Sequence, residues 1–240
     1  MPEGTLMLKD TALYRSLRRL IKGNEIQRRF IEIYHQNGFA GRDSASGPGS
    51  DLSQTAALRE ALPELLRQIS VRSMLDAPCG DFFWMQAAQL ELDRYIGADI
   101  VPELIAEDQR KYQSDRRDFR VLDITSDPLP QVDLIFCRDC LVHLPFSLIL
   151  AALRNFKRSG PRYLLTTTFT ARTENTDIPL GLWRPINLQL PPFGLPAPQR
   201  ILSERCTEND GQYADKSMAL WEVSLLPELQ EFREFRGHPT

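Results

Sequence analysis

Apolar residues recur at helical spacing in two stretches near the start of the chain, at Leu13, Leu17 and Leu20 and again at Ile26, Phe30 and Ile33, with Gly23 and Gly38 as stops. The pattern predicts two short helices over residues 10–37, an N-terminal helical cover. Residues 41–50 are small and include Pro48, which predicts a loop. A third stretch, 51–69, places Leu52, Ala56, Leu62, Leu65, Leu66 and Ile69 on one stripe and opens with Asp51 and Gln54 in capping-box spacing.

From residue 73 the period changes. Short apolar runs at 73–76, 95–99, 119–123, 132–137 and 163–169 alternate with helical patterns near 82–92, 102–112 and 146–158. Such alternation predicts an α/β fold, a mostly parallel sheet with helices on both faces, because parallel strands need long crossover connections. The proline-rich stretch 175–200 is too long for an ordinary connection and is read, within 171–200, as a lid or acceptor loop. Two last runs, 199–206 and 218–225, flank polar residues 208–216 and predict an antiparallel pair at the sheet's edge. The chain divides into a helical cover and glycine-rich loop (1–50), one α/β domain (51–226) and a tail (227–240).

Composition fits a packed globular protein: 240 residues, 42% hydrophobic and 25% charged. The net charge of −3 gives no overall reason to expect nucleic acid as a partner. Basic residues do gather at Arg15, Arg18, Arg19, Lys22, Arg28 and Arg29, where a solvated helix face is the plain reading and an RNA-binding patch the alternative. With neither a long apolar run nor a secretion signal, the expectation is a cytoplasmic protein without membrane contact. Cys137 and Cys140 have metal or redox spacing, but no second pair accompanies them and the first falls in an apolar run. They are read as core thiols, and no metal site is expected.

Three acids, Asp76, Asp99 and Asp123, end successive strand patterns. In open α/β sheets the ligand crevice lies beyond the carboxyl ends of the strands, so the three would line one pocket; capping of the following helices is the alternative for each. Asp76, Ala77, Pro78, Cys79 and Gly80 form a tight turn, and Asp99 follows at the distance expected of an acid that accepts from ribose hydroxyls. The pyrophosphate fingerprint G-x-G-x-x-G is absent and Asp81 would repel phosphate. An adenosine joined to a cation fits these residues better than a dinucleotide.

The segments 75–85, 95–100 and 122–125, followed by 132–144, resemble the ordered motifs of class I S-adenosylmethionine-dependent methyltransferases. The resemblance covers about residues 46–225 and is nearest to bacterial enzymes with Pro-Cys-Gly in the first motif and Ser-Gly-Pro-Gly-Ser upstream. It implies a Rossmann-like seven-stranded sheet with one antiparallel edge strand, and S-adenosylmethionine as cofactor. By that likeness the turn from Asp76 to Gly80 meets the methionine part, Asp99 the ribose hydroxyls, and Asp123 with Ile124 the adenine, with Ile100 a further candidate to touch the cofactor. The chain departs from the family at Pro78 and Phe82, which stand at glycine positions. Ser46, Gly47, Gly49 and Ser50 are candidates to close over the cofactor's carboxylate, with a plain linker as the alternative.

Methyl transfer to a hydroxyl gains from a base, and the fourth motif offers His143 and Asp139. A structural histidine beside Pro145 is the alternative. Arg138 is a candidate for the substrate or the cofactor's carboxylate, and Trp183, Arg184 and Asn187 are candidates to face the acceptor. The implied function is O-methylation of a small molecule or a sugar or glycan hydroxyl. RNA methylation, a nicotinamide-dependent oxidoreductase and a non-catalytic cofactor-binding protein stand as rivals. Oligomeric state is not readable.

Overall fold

The computed structural model describes residues 25–39 and 41–229. The first expected N-terminal helix, with Arg15, Arg18, Arg19 and Lys22, and the tail from 230 lie outside the described residues. The second is present as a helix over residues 25–35 (α1). After it come α2 (Ala56–Gln68), β1 (Ser73–Asp76), α3 (Phe83–Gln86), β2 (Arg94–Asp99), α4 (Pro102–Tyr112) and β3 (Arg117–Val121). The second half adds β4 (Leu134–Cys137), α5 (Phe146–Ser159), β5 (Tyr163–Phe169), β6 (Arg200–Ser203) and β7 (Lys216–Glu222).

The sheet has seven strands in the order β3-β2-β1-β4-β5-β7-β6. The first five strands pair in parallel, and β7 runs antiparallel to both β5 and β6. The reversed strand therefore lies one place in from the edge, which β6 forms. Side chains alternate across the sheet as the two-residue period requires. Leu75, Ile135 and Leu164 join the core under α5, while Met74, Leu134 and Leu165 join the core under α2 and α3. Chain order reverses between β1 and β4, and a crevice opens there at the strands' carboxyl ends.

Two helices differ from their sequence patterns. α2 starts at Ala56 rather than at Asp51, because Asp51 Oδ1 accepts from the Asp43 backbone N–H at 2.9 Å and Gln54 donates to Thr207 Oγ1 at 2.9 Å. α3 spans only Phe83–Gln86, because Phe82 and Gln89 on either side have left-handed φ of 54° and 51°. α5 follows its pattern: Phe146, Ile149, Leu150, Leu153 and Phe156 are buried, and Gly160, at φ 70°, ends it. Its first turn is capped from afar, by Asp177 Oδ1 accepting the Phe146 N–H at 2.7 Å. No helix among the described residues is long and apolar enough to cross a membrane.

Residues 171–200 form a packed strap. Ile186, Leu188, Phe193 and Leu195 are buried in the core. Arg184, buried, donates to the carbonyls of Leu141 at 2.9 Å, Leu144 at 2.7 Å and Thr176 at 3.2 Å. Asn187 donates to the Arg172 carbonyl and accepts from the Gln189 N–H, both at 3.0 Å. Neither residue lines the crevice, which corrects the expectation that both face an acceptor: their polar atoms satisfy backbone groups of the strap and of the turn after β4. Arg184→Ala should cost about 1–3 kcal/mol by orphaning buried carbonyls. Denaturant unfolding should show a lower midpoint at unchanged slope; wild-type stability with impaired acceptor binding would return Arg184 to the acceptor.

Candidate active site

The crevice at the switch point is a cavity of about 450 Å³, within the range of small-molecule sites. Its floor is the turn after β1. Asp76 is 2% exposed and accepts the Tyr95 hydroxyl at 2.5 Å. Burial pushes its carboxyl up to about 8, although that hydrogen bond and the nearby Arg138 pull the other way. Pro78, Cys79 and Gly80 line the cavity, whereas Ala77 is fully buried and donates its N–H to Phe136, so it does not reach a ligand. Gly80 has φ 57°, and a Cβ there would collide with Ser46 Oγ; only glycine meets both demands.

That close approach exists because the loop from Ser44 to Ser50 is clasped to the turn. Ser44 Oγ and the Ala45 N–H donate to the two oxygens of Asp81, each at 2.9 Å, and the Asp81 N–H donates to Ser46 Oγ at 3.3 Å. Asp81 thus fastens the loop over the turn. Ser46, Gly47, Gly49 and Ser50 all line the cavity.

Asp99 and Ile100, at the end of β2, form the next part of the wall. Asp99 Oδ1 accepts the Val101 N–H at 3.0 Å. Burial raises its carboxyl to about 6 against the pull of backbone N–H groups from Val101, Gly80 and Ile100. Gln27 of α1 donates to the Ile100 carbonyl at 3.0 Å and draws the helical cover onto this wall. Asp123 lies two residues beyond β3 and accepts from the Thr125 N–H at 2.8 Å, the Thr125 hydroxyl at 2.6 Å and the Ser126 hydroxyl at 3.0 Å. Among the described residues no helix lies between β3 and β4 for it to cap; it closes a turn and, with Ile124, lines the cavity.

Beyond β4 lies a buried ionic network. Arg138 donates through Nε and Nη2 to Glu204 Oε2 at 3.1 and 2.6 Å, and through Nη2 to the Gly49 carbonyl at 2.8 Å. Its Nη1 lies 3.4 Å from Asp139 Oδ2, and Lys216 Nζ reaches the same oxygen at 2.5 Å. Arg138 lines the cavity, but these acceptors take its donors, so it is not a free clamp for a carboxylate. Burial disfavours the Asp139 carboxylate, yet Lys216 and Arg138 outweigh that and hold its carboxyl down at about 2. Such a carboxylate is a poor proton acceptor near neutrality, which corrects the expectation of Asp139 as a base.

His143 closes a short turn after β4 and lines the cavity. Its Nδ1 is 3.1 Å from the Leu182 carbonyl. A carbonyl only accepts, so Nδ1 carries the proton and Nε2 the lone pair. Burial lowers the pKa of the ring; Asp139 opposes this, and Arg184 and Lys216 add to it. Near neutral pH the imidazole is uncharged. The wall around it is aromatic: Phe39 packs on His143 with centroids 4.9 Å apart, and Trp183 meets Tyr213 edge to face at 4.7 Å.

Several cavity residues carried no functional signal in the sequence. Phe30 of α1 reads as a core position, and Tyr34 of α1 and Phe39 after it fit no motif. Glu208, Asn209 and Tyr213 read as a polar link between strands. A charged residue opening an otherwise apolar strand run, as Lys216 does, was the one visible clue.

Residues 75–160 match the model of a family described as a methyltransferase domain. That match runs from β1 through α5, about a third of the chain. The cavity fits S-adenosylmethionine, the cofactor the sequence motifs lead one to expect: buried acids on the floor suit a cationic ligand, and Asp99 offers a carboxylate to hydroxyls. Solved structures similar to the domain include a magnesium protoporphyrin IX methyltransferase from Synechocystis PCC 6803 with bound cofactor, at 15% identity and TM-score 0.49 over 63% of this chain and 80% of that one. The methyltransferase domain of bacterial CtHen1 is 11% identical with TM-score 0.43 over 48% of this chain and 66% of that one. An amino pentose methyltransferase from Micromonospora echinaspora is 15% identical with TM-score 0.40 over 45% of this chain and 48% of that one. The chain thus spans less than two thirds of the length of the latter two. No curated protein matches the sequence.

The raised pKa of Asp76 gives a stability test. The folded state favours the protonated carboxyl, so its contribution is fully present below pH about 4 and is lost as pH rises toward about 8. Asp76→Asn, which keeps an acceptor for Tyr95, should gain on wild type by up to about 1.4 kcal/mol per pH unit across that window, while binding S-adenosylmethionine more weakly. Parallel stability–pH curves for the two proteins, from denaturant unfolding, would remove Asp76 from this role.

Proposed function

We propose that this protein is a cytoplasmic enzyme that transfers a methyl group from S-adenosylmethionine to a hydroxyl of a small-molecule or glycan acceptor, with His143 taking the proton. The observation that carries this reading is the contact of His143 Nδ1 with the Leu182 carbonyl at 3.1 Å, which leaves Nε2 as the basic atom of a side chain that shares a cavity with Gly80 and Asp99. The Pro78-Cys79-Gly80 turn supports a place in the bacterial subgroup with that motif.

The bound cofactor supplies a methyl on a positively charged sulfur, a good electrophile that leaves a neutral thioether behind. The residues of this chain do the rest. Asp99 accepts from the ribose hydroxyls, and Asp123 with Ile124 borders the adenine. The floor acid Asp76 favours the positive charge, and the clasped loop with Ser46, Gly47, Gly49 and Ser50 covers the methionine end. His143 receives the acceptor's proton, and the aromatic wall positions the acceptor in line and keeps water out. The absence of the G-x-G-x-x-G fingerprint disfavours a dinucleotide.

His143→Ala should lower turnover by roughly 10²–10⁴ while leaving cofactor affinity almost unchanged. Wild-type turnover should fall on acidification, and since the ring's pKa is lowered, that fall should lie below the ordinary histidine value of about 6.5. Normal turnover in the folded variant would leave positioning alone to account for the reaction. Asp99→Ala should weaken cofactor binding by about 1–3 kcal/mol, read by calorimetry; unchanged affinity in a folded variant would overturn the assignment of the ribose site.

A further inference from the structure

The acceptor half of the cavity is walled by rings that are fixed in place. Trp183 stands edge to face against buried Phe169 at 5.9 Å and against Tyr213 at 4.7 Å. Arg172, itself paired with Asp215 at 2.8 Å, lies over both Phe169 and Tyr213 at 5.8 Å. Among the described residues the outer part of Trp183 is left uncovered, 39% exposed although it borders the cavity. A large ring held rigid and left open is an apolar platform already formed before any ligand arrives.

Four charged groups near this platform already engage one another. Arg138, Asp139, Glu204 and Lys216 are joined to one another. The two oxygens of that network without a hydrogen-bond partner, Asp139 Oδ1 and Glu204 Oε1, are fully buried. A sugar ring brings several hydroxyls, each of which loses water on entering and needs a partner. The wall here supplies the rings of Trp183 and Tyr213, with Glu208 and Asn209 beside them, and Asn209 Nδ2 already donates to the Tyr213 hydroxyl at 3.1 Å.

Resting on the methyl-transfer reading above, we propose that the acceptor is a phenol, an aromatic ring lying on Trp183 and Tyr213 with its hydroxyl at His143 Nε2. The acid–base match agrees with the shape. An imidazole whose basicity is lowered by burial is suited to an acidic hydroxyl such as a phenol's and poorly suited to an alkanol's. In the transfer, the oxygen–methyl bond forms as the methyl–sulfur bond breaks; the phenolic proton goes to Nε2 and the bonding electron pair stays on sulfur.

The test uses the full chain loaded with S-adenosylhomocysteine and titrated in a calorimeter with 2-naphthol and, separately, with methyl α-glucopyranoside. Expected are saturable binding of 2-naphthol and none of the glucoside. Trp183→Ala should weaken 2-naphthol binding roughly tenfold or more, and Trp183→Phe should recover most of it, with the affinity for S-adenosylhomocysteine unchanged in both. Saturation by the glucoside alone, binding of neither, or 2-naphthol affinity indifferent to Trp183→Ala would overturn the phenol assignment while leaving methyl transfer in place. Failure of S-adenosylhomocysteine itself to bind would instead overturn the underlying reading.

Discussion

The guanidinium of Arg138 stands where four separate pieces of chain meet. It follows β4, binds the carbonyl of Gly49 in the clasped loop, pairs with Glu204 just after β6, and reaches the carboxylate that it shares with Lys216 of β7. A buried charge is tolerable only when its partners are in place, so this one group obliges loop, central strand and edge hairpin to assemble together. Gly49 shows how tightly they do so: a Cβ there would stand 3.2 Å from Asp139 Oδ2 and 3.4 Å from both Lys216 Nζ and Glu208 Oε2. The glycine-rich loop owes its place over the cavity to this network and to Asp81.

The two ends of the cavity have opposite electrostatic character. On the floor, burial leaves Asp76 and Asp99 reluctant to ionise, so a cationic ligand gains from meeting them and they gain from meeting it. At the other end, Lys216 and Arg138 favour the Asp139 carboxylate, and burial favours the neutral form of His143. Acids that await a cation and a base that stays uncharged form the pair of environments that the proposed methyl transfer needs. The strap over residues 171–200 holds the second environment together, since its Leu182 carbonyl sets the tautomer of His143 and its Trp183 forms the wall.

The sequence was legible where one physical rule dominated. Apolar runs bounded by polar residues placed β1, β5 and α4 to the residue, and the rule that ligands sit at strand carboxyl ends led to Asp76, Gly80, Asp99 and Asp123. Local rules failed where distant partners decide. Asp51 and Gln54 have capping spacing, but Asp43 and Thr207 engage them first. Arg184 and Asn187 have the composition of a binding loop, yet the carbonyls that they satisfy belong to the backbone, which no side-chain pattern records. The partnership of Lys216 with Asp139 joins residues far apart in the chain and became visible only when β7 was placed beside β5.

The central claim is that this cavity receives adenosine joined to a cation. Calorimetric titration of the full chain near neutral pH, with S-adenosylmethionine in one series and nicotinamide adenine dinucleotide in the other, tests it most directly. The account predicts saturable binding of one S-adenosylmethionine per chain and no measurable binding of the dinucleotide. Saturation by the dinucleotide, or no heat of binding with S-adenosylmethionine, would contradict it.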